Sequence, residues 1–239
     1  MKSVTRRSFV SSAAAGMTAL GLFSAVSEPA EAQLVWNASD WKMAEFEKLV
    51  HNPARIKQVW DIVQIGDGKF LSNIKNALNG LHFGYGVPTE QIKIAAALHG
   101  PANMLNYDDY VWSKYQIGEW LKVVDPATNK PAVRNIFYNS NKNGVQKESV
   151  SKDPDDPNSP FQDTSIEALQ ARGVQFMSCH TATEEQARAL VKRNKLSQSP
   201  EEIVKDMLAH TQPDVLVNAS MVSAIALMQA EGRYTYITL

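Results

Sequence analysis

Few residues of this sequence join a reactive type to a telling position, and the first is its only cysteine. Cys179 stands in "GVQFMSCHTA", where an apolar run ends and a histidine, His180, follows at once. The thiolate is the nucleophilic form of cysteine. A neighbouring imidazole or a helix amino terminus stabilises it and draws the thiol pKa from about 8.5 towards neutrality. His180 supplies the imidazole, and Thr183 with Gln186, in the spacing of a capping box, marks a helix start nearby. Cys179 is therefore a candidate nucleophile or sulfur carrier, and its other reading is a buried structural cysteine. One cysteine excludes an internal disulfide, and neither a CxxC redox pair nor a CxxCH haem attachment exists.

His99, in "LHGPAN", is the second candidate, as a general base, a metal ligand or a strand-end residue bonded to backbone. With Cys179 and His180 it makes a conceivable open site for zinc, copper or haem, although no recognised metal motif is present. Asp67 in "GDG" and Asn218 in "VNAS" are candidate ligand-binding residues that equally suit turns and caps. His51, His82 and His210 fall on helix ends or loops and read as capping or solvated residues. The acidic "DPDDPNSP" lacks the central glycine and terminal glutamate of a calcium loop and reads as a Pro-rich surface loop.

The elements that must position these residues are legible from periodicity. "DWKMAEFEKLVHN" predicts a short amphipathic helix, "RIKQVWDIVQI" a strand, and "GKFLSNIKNALNG" a helix. "IKIAAALHG" is nearly continuously apolar, as a strand buried on both faces of a parallel sheet should be. The aromatic stretch carrying Tyr107, Tyr110, Trp112, Tyr115 and Trp120 predicts helix facing the core or lining an apolar pocket. Residues 125–163, rich in Pro, Asn, Asp and Lys, read as an inserted surface excursion. Then come a helix in "SIEALQARG", a strand in "VQFMS" and a helix in "TEEQARALVKRN". "SPEEIVKDMLAH" carries Ser199 as N-cap, Pro200 at the first helical position and Glu202 three residues on. "DVLVN", "ASMVSAIALMQAEG" and "YTYITL" complete the series as strand, helix and strand.

Five strands separated by helices predict a three-layer α/β/α domain on a mostly parallel five-stranded sheet. Ligands of such sheets bind beyond the carboxyl ends of the strands, where strand order reverses. With a flavodoxin-like order of 2-1-3-4-5, that point lies between the first and third strands. Asp67, His99, Cys179 and Asn218 then share one rim.

Composition narrows the function classes. At 239 residues, with 44% apolar and 21% charged residues, the chain has the material for one globular domain. Its 24 basic against 25 acidic side chains leave no field that would favour nucleic acid or an anionic membrane. The first 32 residues read as an export signal: a basic start, an Ala- and Gly-rich run at 9–26, and "AEA" before Gln33. The run is too poor in apolar residues for a stable membrane span. "TRRSF", with Arg6 and Arg7, resembles the twin-arginine signal that carries folded proteins out of the cytoplasm. A periplasmic or otherwise exported mature protein follows, with residues 33–54 as a helical extension and 55–239 as the α/β domain.

The succession "IKIAAALHG", "LQARGVQFMSC" and "DVLVNASMVSAIALMQAEGRYTYI" resembles the DsrE-like sulfur-relay family. The likeness covers residues 56–237, with 125–163 as a departure. It implies that Cys179, closing the third strand, accepts and passes on sulfur as a persulfide, tuned by His99 and His180. It also implies a homo-oligomer, trimer or hexamer, and a sulfur donor or acceptor protein as partner. The relay members work in the cytoplasm, whereas this chain carries an export signal. The other readings are a non-catalytic module binding a metal, haem or small ligand, and an oligomeric accessory subunit.

Overall fold

Side-chain alternation along the strands sorts the chain into two layers around one sheet. The computed structural model describes residues 38–139 and 153–238; the predicted export signal, with Arg6 and Arg7, lies outside them. In chain order the elements are α1 (Met43–Val50), β1 (Ile56–Ile62), α2 (Lys69–Asn79), β2 (Ile92–Leu98), α3 (Asp109–Lys114) and α4 (Ile117–Trp120). A hairpin of β3 (Val124–Asp125) and β4 (Lys130–Pro131) follows. After it come α5 (Ile166–Ala171), β5 (Gln175–Cys179), α6 (His180–Asn194), α7 (Pro200–Ala209), β6 (Leu216–Asn218), α8 (Met221–Ala230) and β7 (Thr235–Thr238). Among these residues no helix is long and apolar enough to cross a membrane.

The five-stranded sheet is parallel throughout, as the alternation of strands and helices predicts, and completes a three-layer α/β/α fold. Its order is β6-β5-β2-β1-β7, not the 2-1-3-4-5 order on which the sequence expectation placed the switch point. The chain steps from β1 through β2 and β5 to β6 in one direction, then crosses back to lay β7 on the far side of β1. Because such crossovers keep one hand, the reversal puts the last helix on the opposite face from the helices that connect the first four strands of the sheet.

The cores confirm it. Trp60, Ile62, Ile94, Ala96, Leu98 and Phe176 face α2, α5, α6 and α7. The alternate residues Val59, Ala95, Ala97, Met177 and Cys179 face α1 and α8. The short alanines of β2 let α8 approach the sheet closely. The helix expected as an extension is part of this second layer: Phe46, Leu49 and Val50 of α1 are all buried there.

Three local differences from the sequence reading have physical causes. The aromatic stretch opens as a 3₁₀ turn over Gly100–Asn106 before α3 and α4, and Tyr107, Trp112 and Tyr115 are packing residues with almost no exposure. The 125–163 excursion is anchored in the core: Asn135 Nδ2 donates to the carbonyls of Leu105 and Tyr107, and Ala132 and Ile136 are buried. Gly118 permits that docking, because a Cβ there would lie 2.5 Å from the backbone nitrogen of Ala132. Finally, α6 begins at His180 with Cys179 as its N-cap, ahead of the Thr183 start. Thr183 instead turns inward, its hydroxyl donating to the Cys179 carbonyl at 2.9 Å. The capping box of α7, by contrast, forms with Ser199 and Glu202 as expected.

Candidate functional site

Cys179 ends β5 and begins α6 with no loop between them, which leaves its thiol at the head of a helix. Its Sγ accepts from the Ala182 N–H in the first turn of α6, at 3.4 Å. It also accepts from the Met221 N–H at the start of α8, at 3.4 Å. Two helices on opposite faces of the sheet thus aim their amino termini at one sulfur, where partial positive charge favours an anion. Burial opposes them. The residue is 5% exposed, and desolvation pushes the thiol pKa up against the lowering effect of those N–H groups. The expectation of a thiol tuned downward therefore reverses for the resting protein.

A buried polar network fixes this corner. Asn103 Oδ1 accepts from the Cys179 N–H at 3.0 Å, from Ser178 Oγ at 3.0 Å and from Asn106 Nδ2 at 3.3 Å. Asn103 Nδ2 donates to Thr183 Oγ1 at 3.1 Å and Gln186 Oε1 at 3.0 Å. Tyr107 OH closes the cluster 2.6 Å from Thr183 Oγ1. Asn103 is fully buried, so every one of these bonds replaces one that water would otherwise make.

His180 does not tune Cys179. As the first residue of α6 its side chain diverges from the N-cap, and it lies between two carboxylates instead. Nε2 is 3.2 Å from Asp40 Oδ2, and Nδ1 is 3.4 Å from Glu184 Oε1, an ion-pair distance without hydrogen-bond geometry. It borders a cavity of about 460 Å³ together with Arg188, Val204 and Leu208. The three-ligand metal set fails with it: among the described residues no group of three or more His, Cys, Asp or Glu can hold a metal ion.

Asn218 is paired with Cys179 in the β5–β6 ladder and is buried. Asp67 is exposed and accepts from the Lys69 N–H at 3.0 Å, a turn-forming role. His210 stacks on Tyr110 and bonds Asp108, and His82 Nδ1 is 3.0 Å from the Val87 carbonyl; both are structural.

His99 is built differently. Its Nε2 lies 2.6 Å from Asp61 Oδ1, and Asp61 Oδ2 accepts from Tyr236 OH at 2.5 Å. The hydrogen bond from Tyr236 keeps that phenol protonated by raising its pKa. Asp61, Tyr236 and Asn103 are absent from the sequence-derived site. Asp61 carried a usable signal, since it shares a strand face with Val59 at the carboxyl end of β1.

The raised thiol has a pH consequence. The ionised form is disfavoured in the fold, so the stability that Cys179 contributes is full below its ordinary value of 9.0 and is lost as pH rises from there through the folded value. In urea unfolding series above pH 9.0, the wild type is expected to lose stability more steeply than Cys179→Ala. Parallel curves would mean that the thiol ionises as freely folded as unfolded. Tyr107, also raised by burial from 10.0, adds a further alkaline loss common to both proteins.

No known protein family, curated protein or solved structure matches the chain.

Proposed function

We propose that this is an exported, DsrE-like sulfur-handling protein in which Cys179 carries sulfane sulfur as a persulfide. The observation that carries the reading is the convergence of the Ala182 and Met221 N–H groups on Sγ. Backbone donors at helix amino termini favour a sulfur anion there without any metal or neighbouring cation. The transfer needs no net oxidant. The Cys179 thiolate attacks the terminal sulfur of a donor persulfide and a new S–S bond forms. The donor's S–S bond breaks, and the departing thiolate takes up the proton that Cys179 released. Delivery to an acceptor thiolate is the same exchange in reverse. Since the thiol is buried, loading requires an opening of the α6 and α8 first turns, a step that a partner protein or a neighbouring copy in a homo-oligomer can supply.

The test is mass spectrometry of the native protein after incubation with polysulfide, with and without reductant. Wild type is expected to gain whole sulfur atoms on Cys179 that a reductant removes, and a folded Cys179→Ser to gain none. Equal loading of the two proteins, or none in wild type, would sink the reading. The burial of the same thiol favours a second one, a non-catalytic binding or accessory subunit. Its mark is a native thiol that stays bare in polysulfide and reacts only after denaturation.

A further inference from the structure

The carboxyl rim of the sheet carries titratable side chains outside the corner of Cys179. In parallel α/β sheets the crevice forms beyond the strand carboxyl ends, between the two strands whose outgoing crossovers lie on opposite faces. Here β5 leads through α6 to one face and β6 through α8 to the other, so the crevice lies at the β5–β6 boundary, where Cys179 and Asn218 close their strands. A second cluster on the same rim lies two strands away from β5, across β1. Asp61 sits at the end of β1 and Tyr236 in β7 beside it, while His99 follows β2 on the other flank of β1. Three titratable side chains from three strands meet there through two short hydrogen bonds.

We infer that His99, Asp61 and Tyr236 form an acid–base site for small weak acids, with His99 Nδ1 as the proton acceptor. A carboxylate is acceptor only, so neutral His99 must donate its Nε2–H to Asp61, and the lone pair is left on Nδ1. Nδ1 has no hydrogen-bond partner among the described residues, while the side chains of His99 and Asp61 are 21% and 16% exposed. When Nδ1 takes a proton, Asp61 stabilises the imidazolium, and the Tyr236 hydroxyl holds Asp61 in place from its other oxygen. His99 is the catalytic residue in this scheme, and Asp61 and Tyr236 are positioning residues. Gly100, at a φ of +52° in the left-handed region, turns the chain directly after His99; a Cβ there would meet Val63 at 3.0 Å. Nothing in the scheme uses Cys179.

Two readouts test it, both in the Cys179→Ser background so that failure of the persulfide reading leaves them intact. Nitrogen NMR of the histidines is expected to show His99 with an unprotonated Nδ1 when neutral. Asp61→Leu, which removes the acceptor facing Nε2, is expected to lose that preference, and Tyr236→Phe, a conservative change at an exposed position, is expected to keep it because Asp61 still faces Nε2. The second readout is elimination of 5-nitrobenzisoxazole. Its ring C–H proton passes to Nδ1, the released electron pair forms the nitrile, and the N–O bond breaks to expel a phenolate. The rate is expected to fall on the order of 100-fold in His99→Gln. An Nδ1–H tautomer in the neutral protein, or an elimination rate that His99→Gln leaves unchanged, overturns the inference. Should His99→Gln fail to fold, the tautomer decides it: an unprotonated Nδ1 that Asp61→Leu abolishes supports the inference, and a tautomer unchanged in Asp61→Leu rejects it.

Discussion

Replacing Asn103 by leucine is expected to lower folding stability by about 3–5 kcal/mol, measured by urea unfolding at neutral pH. The side chains are close in size, so the loss comes from polarity and not from an empty space. Asn103 Oδ1 serves three donors, and the Cys179 N–H among them has no other acceptor in the network. Ser178 and Asn106 keep secondary contacts to Tyr107 and to the Met177 carbonyl, so the cost is less than three full penalties. On the donor side, Gln186 keeps its bond to the Gly100 carbonyl and Thr183 its bond to Tyr107. Each buried group left without a partner costs about 1–3 kcal/mol. A loss under about 1 kcal/mol would mean that water enters and replaces the amide, and that the corner is less dry than its burial implies.

The second large effect is kinetic. Iodoacetamide is expected to modify Cys179 in the native protein at least ~100-fold more slowly than in the unfolded chain, because reaction must wait for local opening. An opening cost of about 3 kcal/mol, well inside the range between fraying loops and global unfolding, already gives that factor. Both first turns must move, since Sγ is held by N–H groups from α6 and from α8. Above pH 9.0 the thiol ionises in the opened and unfolded states but not in the closed one, which makes opening cheaper, so the native rate keeps rising while the unfolded rate levels off and the two converge. Comparable rates in the two states would show a corner that is open on the timescale of alkylation.

The architecture was largely readable from local pattern, and the site only in pieces. Each strand of the sheet announces itself as an apolar run, and α7 by a complete capping box, because these signals act over a few residues. Strand order does not. Whether β7 lies beside β1 or beyond β6 depends on packing that no window of sequence contains, and with it went the position of the ligand crevice. Cys179 and His99 were visible as rare residue types at strand ends. Asp61 was a polar residue at a strand end, but Tyr236 becomes interesting only when its pairing with Asp61, 175 residues away in sequence, is known. His180 misled for a local reason: beside a cysteine it suggests a partnership, but the strand passes directly into helix at that bond, and consecutive side chains then point apart. Thr183 misled likewise, its capping spacing serving an inward hydroxyl in place of a helix start.

The double anchoring of Sγ has a mechanical side. One sulfur atom ties the first turn of a helix in the front layer to the first turn of a helix in the back layer, through the plane of the sheet. Any atom added to that sulfur has to displace one of the two tethers in a corner with almost no free space. The chemical state of the thiol is thereby coupled to the spacing of the two layers.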